Sequence, residues 1–196
     1  MKIQFSKNDC ALLVLDLQEL FTSPTGPFEN HQAAALIDQV NDFSGFVAQQ
    51  GVPIIYSRYA LADDLSDAGL LADNEIVKKG YFCESSPFSQ LDARLNIEQG
   101  AIHHQRNRPG AFWNGELNAL LGSRGITTLL LCGLSINNAI SATAREAFAH
   151  DVSSVVVKEC CGAAPFEKDL QTYFEILQTW TAEVMTVEAA RQQLRN

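Results

Sequence analysis

Apolar runs alternate with helix-spaced patterns from one end of this chain to the other. Cys10–Leu15 is a short continuous apolar run, which predicts a strand buried on both faces. Residues 32–50 carry Ala35, Leu36, Val40, Phe43 and Val47 at helical spacing, and Gly51 is well placed to end that helix. Residues 52–59 contain Val-Pro-Ile-Ile-Tyr and predict a second strand, in which Pro53 fits only at the beginning. Residues 101–105, 126–132, 154–157 and 183–187 predict further strands, and 126–132 gives the strongest signal among them. Helices are predicted over 114–121, 137–149, 168–180 and 188–195, the second with small residues on one face.

Six strands then alternate with helices, and no linker divides them. This predicts an α/β protein: a Rossmann-like three-layer sandwich whose mainly parallel six-stranded sheet is covered on both faces, as one domain over residues 1–196. The stretch from 60 to 84 is polar and uneven and is expected to be a long loop. Long loops in compact domains are usually functional or disordered, so this one is a candidate to cover a substrate.

Composition narrows the class of partner. With 46% apolar and 19% charged residues the chain is that of an ordinary globular protein. Its formal charge of −9 leaves no basic surplus to displace counterions from a nucleic acid. The apolar run at Cys10 is too short for a membrane span and ends on Asp16, and no signal-peptide pattern is visible. A cytoplasmic protein with no nucleic-acid partner and no membrane is therefore expected. The five cysteines are odd in number, and those that fall in strands predict reduced, buried thiols. No Cys/His spacing resembles a zinc site, and the adjacent His103 and His104 point to opposite faces of a strand.

In open α/β sheets, ligands bind beyond the carboxyl ends of the strands. Asp16, the segment Arg106–Phe112 and the turn Gly133–Ala139 would all converge there. A charge at the end of a buried strand is costly unless it is paired or faces a cleft. Asp16 therefore reads either as a functional carboxylate or as a cap or turn residue. The turn presents backbone amides that favour negative charge, or is simply a capped turn with Ser135 or Asn137 as the cap. Phe21, Phe28, Phe82, Phe112 and Trp113 could line the pocket, although such residues more often belong to a core.

Together the segments resemble the isochorismatase-like hydrolases of the cysteine hydrolase superfamily. Leu15-Asp16-Leu17-Gln18-Glu19-Leu20-Phe21 is similar to the family's Asp-x-Gln-x-x-Phe opening. Arg106 to Phe112 is similar to the segment in which a lysine precedes Ala-Phe. Gly133 to Ala139, followed by Thr143-Ala144-Arg145-Glu146-Ala147, resembles the turn and helix that carry the nucleophile. The resemblance implies a catalytic Asp, Lys and Cys. Asp16 matches the first, Arg106 stands at the lysine position and Ala139 at the cysteine position. It also implies a cis peptide at Leu134–Ser135, an oxyanion hole from the amides of Ser135 and Ala139, and a place near the site for Phe112, with Gln18 and Arg108 as further candidate substrate contacts. It implies homodimers or homotetramers. The Asp-x-His pattern of the family's metal-binding branch is absent from the sequence, so no metal or other cofactor is expected.

The departures decide what chemistry remains. Alanine cannot attack an amide carbon, so Ala139 speaks against the amidase branch. Isochorismatases of the family cleave a vinyl ether by acid catalysis, for which a thiol is dispensable. On that reading, protonated Asp16 acts on a small carboxylated substrate, and Arg106 or Arg108 binds the substrate's carboxylate bidentately. A close Arg106–Asp16 pair would instead weaken the aspartate as an acid. The competing expectations are a non-catalytic member with a filled or salt-bridged cleft, and an amidase-type relative whose cysteine has been replaced by alanine.

Overall fold

The computed structural model describes residues 2–163 and 169–195. A six-stranded sheet runs in the order β3-β2-β1-β4-β5-β6, with every pairing parallel. The strands are β1 (Cys10–Leu15), β2 (Ile54–Tyr59), β3 (Ile102–Arg106), β4 (Thr128–Gly133), β5 (Ser153–Cys161) and β6 (Glu183–Met185). All six residues of β1 and of β4 are buried, as a strand covered on both faces requires. Side chains alternate across the sheet. Leu12 and Val14 meet α2 (Ala33–Gln49) and α6 (Val187–Arg195), through Val40, Phe43 and Leu194. Leu13 and Leu15 face the other way, against α3 (Glu116–Ser123), α4 (Ser141–Ala149) and α5 (Leu170–Trp180), through Leu121, Ala144 and Leu177. A short helix, α1 (Glu19–Thr22), follows β1 directly. Among the described residues, no helix is long and apolar enough to cross a membrane.

Several elements differ from the expectation. The helix expected from residue 137 begins one residue earlier, as a π-helical turn over Ile136–Ile140, and becomes α-helical only at Ser141. The amide of Ile140 donates to the Ser135 carbonyl at 3.1 Å, the wide spacing of a π turn. The strand expected at 154–157 continues to Cys161, with a register irregularity opposite Leu131 and Gly133. The strand expected over 183–187 stops at Met185, because Val187 already opens α6. Pro53 lies just outside β2, where its carbonyl accepts from the Leu12 amide at 2.9 Å. Residues 60–84 hold short 3-10 turns at Gly69–Leu71 and Val77–Lys79, and Leu61, Ala68 and Val77 form a small core of their own with Tyr59. For the helix expected over 168–180, Lys168 lies outside the described residues. Asp169 caps the observed start by accepting from the Thr172 amide.

His104 on β3 is buried, with its Nδ1 2.9 Å from Ser57 Oγ and no partner for Nε2 among the described residues. Burial, helped by the nearby positive charge of Arg106, pushes its pKa down from 6.5 to about 4. The unfolded chain then takes up a proton that the fold refuses, so stability falls as pH drops through that window. The loss is expected to reach about 3 kcal/mol by the lower end. Chemical denaturation of His104→Phe across this range should show a flatter profile than the parent. Equal slopes would mean that other groups carry the acid sensitivity.

Candidate functional site

The sheet order reverses direction between β1 and β4, and the crevice above such a switch point is where open α/β sheets bind ligands. Asp16 leaves the end of β1 with φ +53°, a conformation that aspartate tolerates better than most residues. Its amide donates to Ser57 O at 3.0 Å, which fixes it beside β2. Gly133 ends β4 with φ +106°, and a Cβ there would stand 2.0 Å from the Leu15 carbonyl oxygen, so only glycine fits. The Leu134–Ser135 peptide is cis. The turn beyond it is pinned to β5, because Ile136 donates to Gly162 O at 2.8 Å and Gly162 to Gly133 O at 3.0 Å.

Above these strand ends lies a cavity of about 570 Å³, lined in part by Asp16, Leu134, Ser135, Asn137 and Asn138. Phe21 and Phe28 supply one wall, their rings 6.2 Å apart, and Phe82 continues it 6.0 Å from Phe28. The 60–84 segment contributes Leu71, Asn74, Ile76 and Val77 as well as Phe82, so it does form part of the wall. Asp16 is the one acidic or basic residue among the described residues that line the space.

Asp16 is not free. Arg106, the last residue of β3, reaches it with both ends of its guanidinium. Nη1 donates to Oδ1 at 2.7 Å and Nη2 to Oδ2 at 2.6 Å, while Nε donates to Pro109 O at 3.2 Å. The two residues are 6% and 3% exposed, so solvent does little to weaken the pair. On its other side Arg106 borders a smaller hollow of about 260 Å³, with Asp67, Asn107 and Glu116. Tyr59 stands beside the pair, with the guanidinium 5.8 Å from its ring centre. Burial pushes the Tyr59 hydroxyl up against the pull of Arg108 and Arg106, so it stays neutral.

The remaining expected contacts fall elsewhere. Gln18 is fully buried and clamps backbone: its Nε2 donates to Tyr59 O at 2.9 Å and Ser89 O at 2.6 Å, and its Oε1 accepts from Tyr59 N at 2.9 Å. Arg108 lies outside the cavity lining, donating to Asp67 O at 2.9 Å and Asn107 O at 2.6 Å and sitting over Trp113. Phe112 is also outside it, in the core on the α3–α4–α5 side, where it stacks on His150 at 5.2 Å. These three are supports for chain geometry rather than cavity walls. Ala139 follows Asn138 in the turn and is 1% exposed. Sequence reasoning missed Asn30, Asn74, Asn137 and Asn138 as cavity residues. Asn137 and Asn138 could have been found from their place at the strand-to-helix turn, whereas Asn30 and Asn74 lie in segments without a pattern.

All five cysteines are free and buried. Burial raises the Cys132 and Cys161 thiols well above the ordinary range and carries Cys10 up to about 12, so none of these three is poised as a thiolate.

Comparison with known proteins finds relatives along most of the chain. The chain is 26% identical over 188 residues to a maleamate amidohydrolase from Pseudomonas putida, covering 95% of this chain and 87% of that one. It is 26% identical over 160 residues to an N-carbamoylsarcosine amidase from Arthrobacter, covering 79% of this chain and 60% of the relative. The fold superposes on the crystal structure of a cysteine hydrolase from Pseudomonas syringae with a TM-score of 0.91 and 18% identity, over 99% of this chain and 96% of that one. The model of the isochorismatase domain matches residues 10–189, from the first strand into the last helix, and the chain belongs to that hydrolase family.

Proposed function

We propose that this member of the family binds a small molecule in the cavity above Asp16 without hydrolysing it. The observation that carries the reading is the closed Arg106–Asp16 pair. Both carboxylate oxygens accept hydrogen bonds from one guanidinium, so the residue that would act as the acid is committed to a buried ion pair. Arginine cannot share a proton in return, because it is effectively always charged. The relatives above are an amidohydrolase and an amidase, and amide cleavage along the family's route needs a nucleophile. At the matching position this chain has the methyl group of Ala139, and its cysteines are buried elsewhere.

One observation favours a second reading. Asp16 lines a cavity large enough for a ring-sized acid. A substrate carboxylate could draw Arg106 away and release Asp16 for the thiol-independent acid mechanism on a vinyl ether. Assays with isochorismate and a panel of small amides separate the two, with Asp16→Ala alongside. Turnover at the buffer rate by both proteins is the expected result. Hydrolysis of isochorismate that disappears in Asp16→Ala would establish the second reading instead.

A further inference from the structure

The geometry points to an uncharged, ring-sized ligand with at least one hydrogen-bond donor, an inference that rests on the ligand-binding reading above. The apolar part of the case is the Phe21–Phe28–Phe82 wall, which with Leu134 and Val77 lines a space of about 570 Å³. Such walls favour a flat ring through offset or tilted contacts as well as through area removed from water. The polar part consists of neutral groups. Asn30, Asn74, Asn137 and Asn138 carry amides, Ser135 and Tyr59 hydroxyls, and none of them carries a charge.

Lysine, arginine and histidine are missing from the described lining, and the one charged group there, Asp16, is already neutralised by Arg106. A carboxylate or phosphate entering this space would lose its hydration without meeting an opposite charge, and that cost falls on binding. Three amides of the turn, those of Ile136, Asn138 and Ile140, already donate to Gly162 O, Ser135 O and Ser135 O.

Two cavity residues carry polar atoms without a partner among the described residues: Asn137 Oδ1 and Tyr59 Oη. Unsatisfied buried polar atoms are uncommon in folded proteins and cost stability. Asn137 Oδ1 can only accept, so the group that satisfies it must donate. Tyr59 Oη, neutral because of burial, can do either. A ring bearing a hydroxyl or N–H group, with no ionised substituent, fits the walls, and the enclosed Asn137 oxygen meets such a donor when its amide turns toward the cavity.

The test uses the full chain and three ring probes that differ in charge and donor by the gain or loss of a single methyl: methyl 4-hydroxybenzoate, 4-hydroxybenzoate and methyl 4-methoxybenzoate. Calorimetric titration at about pH 7 keeps the second ionised and the others neutral. The neutral hydroxyl probe should bind at least about tenfold more tightly than the acid and about tenfold more tightly than the methoxy probe. Asn137→Ala should remove most of the hydroxyl probe's advantage over the methoxy probe, with Tyr59→Phe as a milder second variant should the first fail to fold. Equal or tighter binding of 4-hydroxybenzoate would overturn the inference and leave the ligand-binding reading standing. An absence of saturable binding by all three would overturn both.

Discussion

Arg106→Ala is expected to cost about 3–5 kcal/mol of unfolding free energy, among the largest effects of any single side-chain truncation in this chain. The reason is the carboxylate it would leave behind. Asp16 is 6% exposed at the end of a strand that is otherwise entirely apolar, and both of its oxygens are held only 2.7 and 2.6 Å from guanidinium nitrogens. With the guanidinium gone, the charge must either remain buried and unpaired or pick up a proton. A double variant separates the cost of breaking the pair from the worth of having it. Asp16→Asn keeps a residue that accepts the +53° φ of this position, and combined with Arg106→Met it removes both charges. That double variant should be more stable than Arg106→Ala by at least about 1 kcal/mol, since a buried pair is costly to break and cheap to replace. Urea unfolding followed by circular dichroism measures all of these. A loss below about 1 kcal/mol for Arg106→Ala would mean that the pair is open in solution. Asp16 would then be available as an acid, and the hydrolytic reading would become the stronger one.

The sequence revealed the frame of this site better than its contents. Strands such as Cys10–Leu15 are legible because burial on both faces leaves an uninterrupted apolar run, and the structure uses the same residues. Asp16, Arg106 and the turn after Gly133 were legible as a convergence because topology alone carries strand ends to one edge. The direction of individual side chains was not. Gln18 lies two residues from Asp16, yet its amide is spent on the backbones of Tyr59 and Ser89, residues 41 and 71 positions away. Phe112 and Arg108 follow Arg106 closely but turn into the core and onto Asp67 and Trp113. The π turn at Ile136–Ile140 was hidden because one extra residue in a single turn is too short to alter a periodicity. Within 60–84, the polar average concealed Leu71, Ile76 and Val77, which meet only when the 3-10 turns fold them over the cavity.

Ala139→Cys by itself is expected to leave amide hydrolysis at the background rate, whereas Ala139→Cys combined with Arg106→Lys should raise it by about a hundredfold or more. A sulfur at this position supplies an atom that can form an acyl intermediate, but a thiol at its ordinary pKa is mostly protonated and needs a base. In the single variant Arg106 still holds both oxygens of Asp16 in a bidentate fork, so the carboxylate is not turned toward the thiol. Lysine is a point charge on a flexible stem and cannot grip a carboxylate in the same bidentate fork, so the carboxylate can turn one oxygen toward the thiol. The contrast between single and double variants therefore tests the geometry of the pair and the family resemblance together. Titration with a thiol reagent should first show that the introduced thiol is reachable, since Ala139 is only 1% exposed. Activity in the single variant would show that the closed pair is no obstacle and that this chain is an amidase lacking one atom group. Inactivity of both variants, with the introduced thiol reachable, would mean that the cavity walls no longer present an amide carbon to that position, and that this pocket has changed use along with its triad.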